Sequence, residues 1–317
     1  MRSRALVLLG LALGLCSCGD RTVTTMVPPM SEKPVVALVV KTLTNPFFIA
    51  MERGARRAEK ELGFTLRVKS AAQETSIDQQ IAIIDALISD GVAALVVAPG
   101  SSVELVPVLK KAQDRGIFLV NIDNQIDAAA GARAGLRPVP FISIDNVKGG
   151  YLAAKSLTLG ITKPVQAAIL EGIREAANAN QRKQGAERAF AENPLVTLVD
   201  SRSAHWKIDE AYEVTKVLFG AHPDVQLLFA ANDMMALGAL QYLGDSGRTK
   251  VRVAGFDDLE PARKAILAGR LVSTVDQQAD EQGYIGCVTA VRLLHGQSVQ
   301  ALVEVPVRLV TKDHLDS

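Results

Sequence analysis

Four apolar runs of this chain are each followed by a polar side chain at the predicted end of a strand. Lys41 follows VVALVV, Asp123 follows VNI, Asn232 follows FAA and Asp257 follows VAGF. Ligands of open α/β sheets bind just beyond the carboxyl ends of the strands, so these side chains are candidates for one shared binding site. Loops are often polar, so each residue alone is weak evidence, and the recurrence at four strand ends is the stronger observation.

The first of these strand ends also carries Asn45, Phe47 and Phe48. Two aromatic rings beside a Lys and an Asn suit a polar ligand with a flat apolar face, for which a sugar is the obvious candidate. The alternative is that the two rings only plug the first loop. Lys41 together with Asp123 and Asp257 sums to a formal charge of −1. One arginine would balance that charge, and a balanced cleft suits a neutral polyol better than a phosphate.

Motifs of catalysis and of cofactor binding are missing from the sequence. It contains no GxxxxGK[ST] phosphate loop, no GxGxxG after a strand, no CxxC and no HExxH. Each of these spacings is what a phosphate, a dinucleotide or a zinc ion requires. The 4 histidines are scattered and none lies near a nucleophile elbow. We therefore expect a protein that is not an enzyme, with no catalytic residue, no metal and no cofactor.

Strands and helices alternate from residue 35 onwards. Predicted strands cover residues 35–40, 65–68, 93–97, 117–122, 141–144, 165–170, 195–200, 225–230, 251–256 and 271–275, with extended structure at 303–310. Predicted helices cover residues 51–62, 77–88, 103–112, 149–159, 180–191, 208–218, 234–243 and 279–294. This alternation predicts an α/β fold of two similar doubly wound parallel-sheet halves with a ligand site between them. The Ala- and Gly-rich residues 125–140 are predicted to form a surface loop.

Length and charge narrow the possible functions. A chain of 317 residues favours two domains, and its 48% hydrophobic content is ample for a core. The formal net charge of +1 gives no strong attraction to nucleic acid, so no nucleic-acid partner is expected.

The amino terminus has the pattern of an export signal. Arg2 and Arg4 precede an apolar run at residues 5–15 that is too short to span a bilayer. The tetrapeptide Leu-Cys-Ser-Cys that ends at Cys18 resembles a bacterial lipobox, which predicts a lipid anchor on Cys18. The alternative is an ordinary signal peptide that happens to contain two cysteines. Residues 1–18 are thus predicted to be the lipoprotein signal with its modified Cys, and residues 19–33 are predicted to be a flexible tether.

Cleavage before Cys18 and acylation of Cys18 would leave Cys287 as the one free thiol, so no internal disulfide is expected. Cys287 lies in an apolar helical pattern and is predicted to be a small buried core residue.

Several longer motifs together resemble a known family. They are KTLTNPFF (41–48), VVAPGSSV (96–103), LVNID (119–123), ISIDNVKGG (142–150), RKQG (182–185), FAANDMMALGAL (229–240), VAGFDD (253–258) and STVDQQ (273–278). The chain resembles periplasmic sugar-binding proteins of the ribose-binding type (type I periplasmic binding proteins), and among them the allose binders most. The resemblance covers nearly all of residues 33–312.

The resemblance implies a set of ten sugar contacts. They are Lys41, Asn45, Phe47, Phe48, Asp123, Arg182, Trp206, Asn232, Asp257 and Gln277. Arg182 then supplies the balancing positive charge, and Trp206 with Phe47 or Phe48 would sandwich the sugar ring.

Departures from the ribose binders favour another sugar. Those proteins resemble one another in a Ser where Lys41 stands and an Asn where Ala98 stands, and Asn124 occupies a position that often holds Arg. Phe48 in turn replaces a Trp of the allose binders. Residues 173–179 also lack the Gly/Ser run that is usual at this place in the family. Because the chain resembles the allose binders most, an allose-like aldohexose is preferred, with ribose, a ketohexose or inositol left open.

The resemblance also implies an architecture and partners. The amino-terminal lobe would comprise residues 34–143 and 278–304, and the carboxy-terminal lobe residues 144–277 and 305–317. Three crossing strands near Ser143, Gln277 and Val305 would form a hinge. An exported monomer anchored to the membrane would deliver its sugar to the permease and ATPase of an ABC importer. Alternatively, a chemoreceptor or a membrane kinase would recognise the closed form. A sugar-responsive repressor is disfavoured, because a signal peptide occupies the position where such a protein has its DNA-binding domain.

Overall fold

The first sheet of the protein is parallel throughout. The computed structural model describes residues 33–315. The strands of this sheet are β1 (Val35–Val40), β2 (Thr65–Ser70), β3 (Ala94–Val97), β4 (Phe118–Ile122), β5 (Phe141–Ser143) and β11 (Leu302–Glu304). Their spatial order is β11-β5-β4-β3-β1-β2, and every pair runs parallel.

The second sheet is smaller and is also parallel. Its strands are β6 (Val165–Glu171), β7 (Val196–Ser203), β8 (Val225–Ala230) and β9 (Arg252–Ala254), in the order β7-β6-β8-β9. An antiparallel ribbon of β10 (Thr274–Asp276) and β12 (Arg308–Val310) lies beside it, since Ser273 forms a β-bridge with Ala254 of β9.

Helices connect the strands and cover the sheets. They are α1 (Pro46–Leu62), α2 (Ile77–Ser89), α3 (Val106–Asp114), α4 (Ala128–Arg133), α5 (Asn146–Thr158), α6 (Ala177–Ala191), α7 (Ile208–Ala221), α8 (Asp233–Asp245), α9 (Glu260–Leu267), α10 (Ala279–Leu294) and α11 (Lys312–Leu315). Helices α1 and α10 pack on one face of the first sheet, and α2 and α3 on the other. Because both faces are covered, strands such as β1 are apolar at almost every position.

The first helix begins and ends at clear local signals. The Asn45 side chain accepts a hydrogen bond from Phe47 N, Pro46 occupies the first turn, and Gly63 ends the helix in the left-handed region at φ 73°. Helix α1 therefore starts five residues earlier than the predicted residue 51. Phe47 and Phe48 accordingly lie in its first turn and not in a loop.

Close contacts between glycines and backbone pack α1 against α10. A Cβ on Gly54 would lie 1.7 Å from Asp280 O, and a Cβ on Gly283 would lie 2.0 Å from Met51 O. The two helices can approach this closely only because both positions lack side chains. The contact fixes the position of α10 beside the first sheet, although α10 directly follows β10 of the ribbon.

The structure confirms the predicted doubly wound parallel α/β fold. Three helices were not predicted, namely α4, α9 and α11. Helix α4 interrupts the expected loop at residues 125–140, where the Asp127 carboxylate caps Ala130 N, and α9 has Pro261 in its first turn. All three helices are shorter than the window in which a helical period becomes visible.

Some strand bounds also differ from the prediction. The tenth strand begins at Thr274 instead of residue 271, and the extended segment at 303–310 divides into β11 and β12, which belong to different sheets. The predicted lobe boundaries and the three-strand hinge stay predictions.

The cysteine prediction can be compared with the structure only in part. Cys287 is fully buried, and burial raises the pKa of its thiol to about 12, as suits an unreactive core residue. Cys18, the rest of the signal segment and the predicted tether up to residue 32 lie outside the described residues. Within residues 33–315, no helix is both long enough and apolar enough to cross a bilayer.

The glycine contact between α1 and α10 can be tested by substitution. We expect Gly54→Ala to lower the free energy of unfolding by about 1–3 kcal/mol or more, because its Cβ would overlap the backbone of α10. Gly220→Ala in α7 is the matched control, since its Cβ would meet nothing within 4 Å and alanine favours a helix by roughly 0.5–1 kcal/mol. Urea unfolding of both variants measures this, and equal stability of the two would contradict the close packing.

Candidate functional site

Carboxyl ends of strands from both sheets meet around one buried cavity. It is lined by Lys41, Asn45, Phe47, Phe48, Glu74, Asp123, Asn178, Arg182, Trp206, Asn232, Asp257 and Gln277. The structure therefore brings all ten predicted site residues together and adds Glu74 and Asn178. Each lining residue is at most 9% exposed. The cavity is small, with an empty volume of about 230 Å³.

The first buried charge pair comes from the first sheet. Lys41 follows β1 and Asp123 follows β4, and Lys41 Nζ lies 2.8 Å from Asp123 Oδ2. Asp123 adopts a left-handed φ of 62°, and its backbone carbonyl accepts a 2.7 Å hydrogen bond from Ser143 Oγ. Parallel order places β1 and β4 on either side of β3, so their ends are close enough for the pair to form.

Arg182 of α6 holds the other side of the cavity. Its guanidinium donates to Asn146 Oδ1 at 2.9 Å, to the Ala231 carbonyl at 2.9 Å and to Gln277 Oε1 at 3.1 Å. It also lies 3.6 Å from Asp257 Oδ1. Burial lowers the pKa of Arg182, while Asp257 and Asp123 oppose that change. A guanidinium with this many partners remains charged and keeps a fixed orientation.

Asp257 completes the second buried pair. Gln277 Nε2 donates to Asp257 Oδ1 at 2.6 Å, so Gln277 connects this carboxylate to Arg182. Burial raises the pKa of Asp257 well above its ordinary value, and the Arg182 charge opposes that rise. Asp257 has a φ of 119°, a conformation that is costly for a side-chain-bearing residue and that directs the loop after β9.

Asp233 supports this loop from behind the cavity. Its carboxylate accepts hydrogen bonds from Thr274 Oγ1 and from Leu259 N, both at 2.8 Å. Burial raises the pKa of Asp233 to about 7. The residue ties the start of α8 to β10 and to the start of α9, and thereby holds Asp257 in place.

Two of the predicted contact residues also serve as helix caps. Asn45 caps α1 and donates from Nδ2 to Glu74 Oε1 at 3.0 Å. Asn232 caps α8 through Met235 N at 2.8 Å and donates to the Trp206 carbonyl at 3.2 Å. The amide groups of both residues thus already have protein partners. Both line the cavity, so their role as ligand contacts stays a prediction.

Aromatic rings form the apolar part of the cavity wall. Phe47 and Phe48 pack edge to face with centroids 5.0 Å apart. Trp206 lies opposite the first-sheet residues, with Lys41 Nζ 6.0 Å from its ring. A Cβ on Gly172 would lie only 2.0 Å from the Trp206 ring, so that glycine makes room for the indole. Phe47 and Phe48 therefore line the cavity from the first turn of α1, and their role as sugar contacts stays a prediction.

Glu74 and Asn178 were missed by the sequence reasoning. Glu74 lies four residues beyond β2, and the strand-end rule used for Lys41 would have pointed to this loop. Burial raises the pKa of Glu74, and the Lys41 charge opposes that rise. No sequence signal indicated Asn178, because it lies in the first turn of a helix whose start was predicted three residues later.

Three buried polar atoms of the cavity wall have no hydrogen-bond partner in the described residues. They are Asp123 Oδ2, Asn178 Oδ1 and Trp206 Nε1. Asp123 Oδ2 is at ion-pair distance from Lys41 but off the direction of a hydrogen bond. Buried polar atoms normally have partners, so these two acceptors and one donor point to a ligand with both kinds of group. Within residues 33–315, no cluster of His, Cys, Asp and Glu could hold a metal ion.

A family model described as a periplasmic binding protein domain matches residues 36–298. The chain belongs to the periplasmic binding protein family. It is 39% identical over 287 residues to a D-ribose/D-allose-binding protein of Pseudomonas aeruginosa, covering 88% of this chain and 89% of that protein. It is 34% identical over 280 residues to the ribose import binding protein RbsB of Escherichia coli, covering 88% and 91%.

A solved structure agrees with these relatives. An ABC transporter periplasmic solute-binding protein from Actinobacillus succinogenes with bound D-allose superposes with a TM-score of 0.84 and 36% identity. The match covers 90% of this chain and 99% of that chain. The resemblance to sugar-binding proteins of the ribose-binding type is therefore confirmed, as is the prediction of a binding protein instead of an enzyme.

Substitutions of Glu74 test its place in the cavity wall. We expect Glu74→Ala to lower the free energy of unfolding by about 1–3 kcal/mol, because Asn45 Nδ2 would lose its buried acceptor. Glu74→Gln retains an acceptor oxygen and removes a buried carboxyl, so its stability is expected to equal or exceed that of the wild type. Urea unfolding distinguishes the variants, and an equal loss in both would show that the Asn45 contact is not what Glu74 contributes.

Proposed function

We propose that this protein is the substrate-binding lipoprotein of a bacterial ABC sugar importer. In this proposal it captures one neutral monosaccharide in the cavity between its two sheets. The supporting observation is a small buried cavity that combines two buried charge pairs, aromatic walls and unpartnered polar atoms. Planar carboxylate, amide and guanidinium groups can each bridge neighbouring hydroxyls, and the rings pack on the C–H faces of a sugar.

An allose-like aldohexose is the preferred ligand. The relatives named above bind or import D-ribose and D-allose, and the superposed structure holds D-allose. Lys41, which replaces the Ser of ribose binders, pairs with Asp123 and presents an ammonium group at the cavity wall. Ribose, a ketohexose and inositol remain alternatives, because hydroxyl stereochemistry depends on small differences in distance.

Binding would couple to closure of two lobes. We propose an amino-terminal lobe of residues 34–143 and 278–304 and a carboxy-terminal lobe of residues 144–277 and 305–317. This division agrees with the membership of the two sheets and with the packing of α10 on α1. The links near Ser143, Gln277 and Val305 would bend, and the sugar would stabilise the closed form by its higher affinity for it.

The closed form would be what the membrane partner recognises. A permease with its ATPase is the preferred partner, because the superposed protein is an ABC transporter component. A chemoreceptor or a membrane kinase would use the same closed form. We propose that the protein acts outside the cytoplasm as a monomer, held at the membrane by the anchor on Cys18.

Sugar binding should be visible through the single tryptophan. Trp206 is the only tryptophan of the chain and lines the cavity, so its emission should change when a ligand binds. We expect D-allose to change the emission in a saturable manner and to raise the melting temperature. At 1 mM, a ligand with a Kd of about 1 μM adds roughly 4 kcal/mol of stability.

Asp257→Asn is the variant for this experiment, because it removes the charge opposite Arg182 and retains the shape. The variant leaves Arg182 without its counter-charge, so it should be less stable than the wild type, and in its folded form it should lose most of the affinity. A wild-type protein that responds to no neutral sugar or polyol in a panel with D-ribose, a ketohexose and myo-inositol would refute the proposed ligand class.

The lipid anchor needs a separate test. We expect a clickable palmitate analogue, fed to a bacterial host, to label the protein at Cys18. Cys18→Ser should abolish the label, whereas the matched control Cys16→Ser should retain it. Export without label in the wild-type protein would indicate an ordinary signal peptide.

A further inference from the structure

The amino terminus of α6 is capped by residues from the other sheet. Ala176, at the N-cap position, provides no side-chain hydrogen bond. Instead, Ala177 N donates to Ser102 Oγ at 3.0 Å and Asn178 N donates to Asn124 Oδ1 at 3.2 Å. Ser102 and Asn124 follow β3 and β4 of the first sheet, whereas α6 packs on β6 and β7 of the second.

These capping side chains are themselves held in place. Asn124 Nδ2 donates to the Pro99 carbonyl at 3.0 Å, which directs its Oδ1 towards α6. Ser102 N donates in return to the Glu175 carbonyl at 3.1 Å, on the segment that leads into α6. A helix end satisfied in this way has a defined position relative to the first sheet.

The cap determines where the Asn178 side chain lies. Asn178 is 2% exposed, lines the cavity and donates from Nδ2 to Asp123 Oδ1 at 3.3 Å. A carboxylate only accepts hydrogen bonds, so the nitrogen must face Asp123 and the amide cannot be turned over. The carbonyl oxygen of Asn178 is consequently an acceptor with no partner in the described residues.

We propose that Asn178 is a further ligand-binding residue that accepts a hydrogen bond from one hydroxyl of the bound sugar. This inference rests on the proposed function and adds a specificity rule to it. Because Asn178 Oδ1 is a buried acceptor without a partner in the described residues, this point of the cavity wall selects a hydrogen-bond donor. A hydroxyl satisfies that requirement, whereas an ether oxygen, a methoxy group or a missing hydroxyl leaves a buried acceptor unpaired.

Ser102 and Asn124 are positioning residues in this scheme. They do not line the cavity, and they act by holding the first turn of α6 so that Asn178 reaches both Asp123 and the sugar. Both residues follow strands of the first sheet, whereas α6 packs on the second. The cap can therefore form only when the two sides of the cavity are close together.

A double-mutant cycle on protein and sugar tests the assignment. Titration calorimetry would compare wild type and Asn178→Ala with D-allose and with each of its monodeoxy analogues. We expect Asn178→Ala to weaken D-allose binding roughly 10- to 100-fold, the range for a lost buried hydrogen bond. The deoxy analogue that lacks the hydroxyl donated to Asn178 should bind the wild type weakly. It should lose little further affinity in Asn178→Ala, because the hydroxyl and its acceptor act as a pair.

Matched variants separate this role from a structural one. Asn180 lies on the same helix outside the cavity, and its Nδ2 donates to the Arg174 carbonyl. Asn180→Ala should therefore bind D-allose like the wild type. Asn124→Ala should weaken D-allose binding by a factor of roughly 2 to 30, as loss of a helix cap does, and should weaken least the deoxy analogue that lacks the hydroxyl bound by Asn178, because Asn124 acts through Asn178. If Asn178→Ala does not fold, Asn178→Leu of similar volume provides the same comparison.

Each outcome decides between the two proposals. Equal losses in Asn178→Ala for D-allose and for every deoxy analogue would overturn the ligand contact while leaving sugar binding intact. A wild-type protein that binds neither D-allose nor another sugar of the panel would refute the proposed function, and the inference would fall with it.

Discussion

Charges that are removed from water must be paired, and this constraint organises the cavity. Lys41 pairs with Asp123 and Arg182 with Asp257, and all four residues are at most 9% exposed. Removal of a single partner would leave an uncompensated charge in a low-dielectric site, which is strongly destabilising. The side-chain amides of Gln277, Asn146 and Asn178 add hydrogen bonds to these groups.

Meeting this constraint requires unusual backbone at the strand ends. Within residues 33–315, the residues other than glycine with positive φ are Asp123, His205, Trp206, Asp257, Asp258 and Gln278. Three of them line the cavity and the other three are their immediate neighbours or follow Gln277. Such conformations cost free energy and persist where surrounding contacts determine them, here hydrogen bonds such as Ser143 to the Asp123 carbonyl. Strain is thus concentrated where side chains must point into the cavity.

Helix termini provide a second common element of the site. Asn45 and Asn232 cap their own helices and, through the other end of each amide, fix Glu74 and Trp206. The start of α6 differs, because its caps come from the opposite side of the cavity. The position of the cavity residues therefore depends both on local sequence and on how the two sheets approach each other.

Much of the fold was visible in the sequence because buried parallel strands are continuously apolar and helices repeat every 3.6 residues. Strand ends such as Lys41 and Asp257 were recognisable for the same reason. Helices α4, α9 and α11 were too short for a period, and the early start of α1 depended on a capping asparagine that looked like a loop residue.

The sequence by itself determined the alternation of strands and helices, and with it the edge of each sheet at which polar side chains collect. Its motifs also indicated the family and ten residues of the cavity wall. Only the tertiary structure decided how those residues pair, that Glu74 and Asn178 join them, and that residues far apart in the chain cap α6. The physical reason is that pairing of buried charges and capping across a cavity depend on distances between separate elements, which no local pattern encodes.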